Sequence, residues 1–122
     1  MTIQKIAARL VELCRQGDFE TCYKELYSPK IVSIESEGAP TPVAHGFEGI
    51  AEKGKKWETM VEQVHRTEIG EPIIAGNHFA ITWKMNLTYK GAPEPIDSEE
   101  ICLYEVEDGK IIKEQFFYAP MK

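Results

Sequence analysis

The Asp108-Gly109 dipeptide lies between two β-prone runs, 97–107 and 110–118, and constrains this chain more than any other pair of residues. A type I′ turn needs positive φ at both central positions, which Asp-Gly supplies at little steric cost, so the runs are expected to form one antiparallel hairpin. The turn also sets a register. With Glu107 opposite Lys110, the pairs continue as Val106 with Ile111, Glu105 with Ile112, Leu103 with Glu114, Ile101 with Phe116 and Glu99 with Tyr118. One face then carries Ile101, Leu103, Ile112, Phe116 and Tyr118 together with Glu99 and Glu114, and the other carries Cys102, Tyr104, Lys113 and Gln115. Carboxylates at the edge of an apolar surface are what a ligand pocket uses, so a pocket protein is expected.

Ahead of the hairpin the periodicity changes from helical to strand-like. Thr2 is a plausible cap for a first helix with Ile3, Ile6, Ala7, Leu10 and Leu13 at helical spacing, stopped by Gly17. Asp18 caps a short second helix in which Phe19, Cys22, Tyr23 and Leu26 share a face, and Ser28-Pro29 ends it. A first strand is expected over 31–35, followed by a Pro- and Gly-rich loop to Pro42. Phe47, Ile50, Trp57, Val61 and Val64 recur at helical spacing in a third helix, where Gly49 and Gly54 leave room for a close neighbour. Residues 65–74, interrupted by Pro72, read as strand. In 78–89, Phe79, Ile81, Trp83, Met85 and Leu87 alternate with Ala80, Thr82, Lys84 and Asn86, which gives one buried and one wetter face.

At 122 residues, without an internal repeat or a dividing linker, the chain is expected to be a single domain over 1–122. Acidic residues outnumber basic ones 20 to 14, which argues against a nucleic-acid or anionic membrane partner; Lys53, Lys55 and Lys56 are read as a solvated helix face. No apolar run is long enough to span a membrane or to resemble a secretion signal. The three cysteines lack CxxC spacing and read as free thiols, so a cytoplasmic setting is expected. No His or Cys pair has ligand spacing, so neither a metal nor any other cofactor is expected.

The order helix, short helix, strand, helix and then antiparallel strands resembles the nuclear-transport-factor-2-like superfamily, and within it the SnoaL-like (polyketide-cyclase-like) and ketosteroid-isomerase-like groups. The residues that carry the resemblance are Gly17-Asp18, the stretch from Leu26 to Glu35, the His45-Gly-Phe-Glu-Gly-Ile50 lead into the third helix, Asp108-Gly-Lys-Ile111 and Phe116-Phe-Tyr118. The resemblance implies an α+β fold in which a curved antiparallel sheet wraps the helices into an open cone, the cystatin-like α+β barrel. It also implies pairing into a homodimer through the outer sheet faces, where the register is expected to place Cys102, Tyr104, Gln115 and Phe117 as a semi-apolar patch.

The ketosteroid-isomerase-like resemblance, anchored on Leu26-Tyr27, places Glu35 at the family's general-base carboxylate. That family's oxyanion donors have no match here, because its tyrosine falls at Leu10 and its aspartate at or near Ile101. Glu99 is the second catalytic candidate, and Glu114 across the hairpin is a further carboxyl. Tyr23, Trp57, Met60, Trp83, Phe116 and Tyr118 are the large side chains expected to turn inward, with His65 as an added polar anchor, and together with Glu114 they form the expected ligand-binding set. Two readings stay open: an enzyme moving a proton on a small, mostly apolar carbonyl compound, and a non-catalytic dimeric module that shelters a small molecule or peptide.

Overall fold

The computed structural model describes residues 1–119. Helix α1 (Ile3–Arg15) starts where the Thr2 hydroxyl accepts from the Lys5 amide, and it buries Ile6, Ala7, Leu10, Val11, Leu13 and Cys14 along one side. Gly17 turns the chain at φ 73°, and the Asp18 carboxylate caps α2 (Phe19–Leu26) by accepting from the Thr21 amide. Strand β1 (Tyr27–Ile34) follows without a connecting loop, so it begins four residues before the expected Ile31. The remaining elements are β2 (Val43–His45), α3 (Gly46–Met60), β3 (Val61–Ile69), β4 (Ile73–Ala75), β5 (His78–Tyr89), β6 (Ile96–Glu107) and β7 (Lys110–Phe117). Val61 and Val64, expected on the third helix, instead open β3: a short valine-containing run fits either period, and α3 stops at Met60.

The strands form one sheet in the order β2-β1-β7-β6-β5-β3, with β4 added on β5. β2 and β3 lie at opposite ends of that order, so the curved sheet does not close into a barrel. The β1–β7 pair is parallel and the other pairs are antiparallel, a mixture that the purely antiparallel expectation did not contain. Helices α1 and α2 fill one end of the concave face. Phe79, Ile81, Cys102, Tyr104, Ile111, Tyr27 and Ile31 pack beneath them, and the Phe79 and Tyr104 rings stack with centroids 4.8 Å apart. Helix α3 packs on β1 and β2 and buries only Ile50. A Cβ at Gly49 would stand 3.3 Å from the Ala44 Cβ, so this glycine does admit a close neighbour, whereas Gly54 faces open space.

The hairpin turn forms at Asp108 (φ 53°) and Gly109 (φ 75°), and Glu107 pairs with Lys110 and Val106 with Ile111 as expected. The register then slips. Glu105 pairs with Lys113, Tyr104 with Glu114, Cys102 with Phe116 and Ile101 with Phe117, which leaves Ile112 as the extra residue of a β-bulge. One extra residue exchanges the two faces of β6 while leaving the rest of β7 as read. Cys102 and Tyr104 are therefore buried, and Ile101, Leu103 and Glu99 point to the outer face. The exchange buries the Tyr104 ring against Phe79 in place of Leu103, and Ile101 is left 51% exposed.

Candidate functional site

Beyond the core, the concave face turns polar. Ser33 of β1 lies beside Glu114 of β7, and Tyr104 of β6 lies on the other side of Glu114. Only 4% of Glu114 is exposed, and its Oε2 accepts from the Tyr27 hydroxyl at 2.8 Å. Glu35, just past the end of β1, accepts from the Tyr118 hydroxyl at 3.0 Å and pairs with Lys53 Nζ at 2.8 Å. Lys53 reaches down from α3, donates to Ser33 Oγ at 2.5 Å and stands 4.7 Å from the centre of the Phe116 ring. These contacts link Tyr27, Glu114, Ser33, Lys53, Glu35 and Tyr118 into a polar strip along the inner wall.

A third carboxyl joins from β6. Glu100 occupies the inner position that the Asp-Gly turn alone would have given to Glu99, and it is the cross-strand partner of Trp83. Burial, reinforced by the negative charge of Glu35, raises its pKa from 4.5 to about 7, against the opposing effects of the Cys102 thiol and Lys53. Burial also raises Glu114, with Lys53 and the hydrogen bonds from Tyr27 and Ser33 pulling the other way. The Tyr118 phenol is pushed up by burial and by Glu35 beside it. Trp83 Nε1 is buried without a hydrogen-bond partner among the described residues. A buried indole N–H left unpaired costs about 1–3 kcal/mol, so a ligand atom that accepts from it gains that donor. Glu100 and Trp83 thus put a carboxyl of raised pKa and an unpartnered donor at paired positions of β6 and β5.

The last β6–β7 pair described is Ile101 with Phe117, so the β6 segment 96–100 extends past its neighbour. An open groove of about 380 Å³ lies there on the outer side, along Thr82, Lys84, Glu99, Ile101 and Phe117, and touches Glu100 and Tyr118 where the strands end.

Of the residues expected from sequence, the structure brings Glu35, Glu114, Phe116 and Tyr118 together around Lys53 and sets Trp83 across from Glu100. Tyr23 packs edge-on against Tyr27 at 4.9 Å, on the core side of Glu114. Trp57 and Met60 lie near the end of α3 and are 37% and 40% exposed. His65 sits at a bulge of β3, exposed, with its Nε2 2.7 Å from Thr88 Oγ1. Glu99 falls on the outer face beside Lys84, Oε2 to Nζ 3.7 Å, and its side chain is 74% exposed. Sequence reasoning missed Lys53, Glu100, Ser33 and Tyr27. A signal existed for Lys53, because Ile50, Lys53 and Trp57 fall on one helix face at i, i+3 and i+7. Among the described residues no three His, Cys, Asp or Glu side chains are grouped to hold a metal ion, and no helix is long and apolar enough to cross a membrane.

Over residues 1–118 the chain matches the SnoaL-like domain family. A crystal structure from Mesorhizobium loti, named as a candidate SnoaL-like polyketide cyclase with carbohydrate phosphatase in brackets, is 34% identical; the match covers 97% of this chain and 100% of that one, with a TM-score of 0.89. A Xanthomonas campestris protein of unknown function with a cystatin-like fold is 20% identical, with 98% and 92% covered and a TM-score of 0.77. TerC, co-crystallised with polyporic acid, is 17% identical, with 94% and 89% covered and a TM-score of 0.77. No curated protein matches the chain.

Proposed function

The chain belongs to the SnoaL-like domain family, whose fold typically forms a ligand-binding pocket, and on that premise we propose that its cone binds a small, mostly apolar carbonyl compound and moves a proton on it. The observation that carries this reading is the pairing of Glu100, with its pKa raised to about 7, with the unpartnered indole N–H of Trp83. A general base works best when its pKa lies near the working pH, and a buried donor at the carbonyl oxygen stabilises the enolate that proton removal creates. Glu100 takes the proton from the carbon beside the carbonyl, the C–H electron pair moves into the enolate, and Trp83 donates to its oxygen. Returning the proton to the same or a neighbouring carbon completes an isomerisation or exchange. Glu35, already satisfied by Lys53 and Tyr118, supports the wall, and Phe116 supplies apolar surface.

The non-catalytic reading is favoured by one feature. Tyr118 and Tyr27 spend their hydroxyls on Glu35 and Glu114, so Trp83 is left as the site's free buried donor among the described residues. Deuterium exchange separates the readings. With 2-tetralone in D₂O the enzyme reading predicts protein-dependent loss of the α-proton NMR signal, slowed about 100-fold or more in Glu100→Gln, the usual contribution of a general base. Binding seen by thermal shift without exchange would select the sheltering module. The neighbour crystallised with polyporic acid supports a small organic ligand in either case.

We propose separately that two copies pair through the outer sheet face, over the Ile101 and Phe117 end of the groove. Ile101 and Phe117, cross-strand partners there, are 51% and 46% exposed. The unbridged thiols of Cys14, Cys22 and Cys102 support a reducing compartment, the cytoplasm.

A further inference from the structure

We propose that Lys53 is a positioning residue of the cone: held by Glu35, Ser33 and the Phe116 ring, its ammonium sets the negative charge of the inner wall and so the form in which Glu100 meets a ligand. This rests on the reading of Glu100 as the group that exchanges the proton. Lys53 is the cation in the polar strip, and its side chain is 19% exposed. Three elements converge on it. Glu35 follows β1 and contacts Nζ at 2.8 Å, Ser33 lies within β1 at 2.5 Å, and Phe116 comes from β7 at 4.7 Å from its ring centre. A lysine used only as a solvated helix charge would not be fixed on three sides.

Two opposite charges so close together act on their neighbours with opposite signs. The titratable groups electrostatically linked to Glu100 are Cys102 on its own strand, Glu114 on β7, Glu35 after β1, Lys53 on α3, and the phenols Tyr118 and, on β5, Tyr89. The phenols stay neutral near pH 7, because both are pushed upward from an ordinary value of 10, chiefly by burial. Cys102 is neutral for the same reason. The charges able to act on Glu100 from the wall are therefore Lys53, Glu35 and whatever fraction of Glu114 is ionised. Lys53 favours the carboxylate of Glu100 and Glu35 favours its acid form. Burial raises Glu100 most, Glu35 adds to it and Lys53 opposes it; if either partner is removed, that balance tips in a known direction.

The position also has a mechanical side. Helix α3 buries Ile50 alone, so the Lys53 contacts to β1 are a second tie between this helix and the wall. A short or uncharged side chain at 53 removes both the tie and the charge, whereas arginine keeps the charge.

Site-resolved titration of the Glu100 carboxyl by carbon-detected NMR in Lys53→Met, Glu35→Gln and Lys53→Arg tests the proposal without a substrate. Lys53→Met is expected to move the Glu100 midpoint up and Glu35→Gln to move it down, each by roughly one pH unit, the low end for a neighbouring charge. Lys53→Arg should leave it near the wild-type value. If Lys53→Met fails to fold, Lys53→Gln, which keeps a polar side chain toward Glu35 and Ser33 but no charge, takes its place with the same upward shift expected. A midpoint unmoved in the folded variant that lacks the Lys53 charge, or moved in the same direction by removal of Lys53 and of Glu35, overturns the role of Lys53. A wild-type midpoint at the ordinary carboxylate value would instead overturn the reading of Glu100 as the proton-exchanging group, whatever the variants do.

Discussion

Glu100 shows at the level of a single side chain how position decides chemistry. Glu99 and Glu100 are neighbours of the same residue type, yet one meets Lys84 in solvent and the other faces Trp83 inside the cone. Burial raises the folded-state value of Glu100 above its ordinary 4.5 to about 7. A carboxyl raised in this way contributes stability that is fully present below pH 4.5 and is lost as pH rises through 7. Glu100→Gln, which cannot ionise, should escape that loss. Urea unfolding of both proteins should show the variant gaining on the wild type between about pH 4.5 and 8, by up to about 3 kcal/mol at the alkaline end. A stability difference that stays constant across that range would show that Glu100 is solvated. Glu100 was not legible in the sequence as a site residue, and Lys53 only through the helix face it shares with Ile50 and Trp57. A charged residue next to another charged residue on a strand gives no face of its own, and a lysine among lysines looks like a solvated helix surface until its partners on β1 and β7 are known.

The hairpin of β6 and β7 carries the same lesson at the scale of an element. Its turn was legible because Asp-Gly has a steric reason to adopt positive φ at both positions, and both angles are found there, 53° and 75°. The register beyond Val106 was not, because a bulge leaves no residue-type signature in a run such as Lys110-Ile-Ile-Lys-Glu114. Burial could have chosen between the faces: placing Tyr104 against Phe79 beats placing Leu103 there once both neighbours are known. Conformation rather than space limits the turn, since a Cβ added at Gly109 would meet nothing closer than 3.7 Å. Gly109→Ala should therefore cost about 1–2 kcal/mol from its left-handed backbone alone, read as a lower urea midpoint. Loss of folding in that variant, or no change at all, would mean that the turn does not hold the hairpin in the way its dihedrals indicate. On β5 the alternation was legible throughout, with Phe79, Ile81 and Leu87 buried and Lys84 exposed, because a strand with one face on the core repeats with period two.

At the scale of the molecule, an unclosed sheet keeps α1 and α2 over one end of its concave face and gathers three carboxyls and a lysine beyond them. The element order in the sequence was enough to indicate this α+β cone, while the parallel β1–β7 pair and the open edges depend on long-range pairing that no local pattern encodes. The outer face, with Ile101 opposite Phe117, is the surface proposed to meet a second copy. Phe117→Glu should then sediment as a monomer at micromolar concentration where the wild type sediments as a dimer, and a wild-type monomer would remove that interface. The proposed chemistry depends most on one acid being inside the cone and poised near neutrality. Carbon-detected NMR titration of the Glu100 carboxyl in the wild-type protein tests this directly: the midpoint should lie near 7, and a midpoint at the ordinary carboxylate value of 4.5 would contradict it.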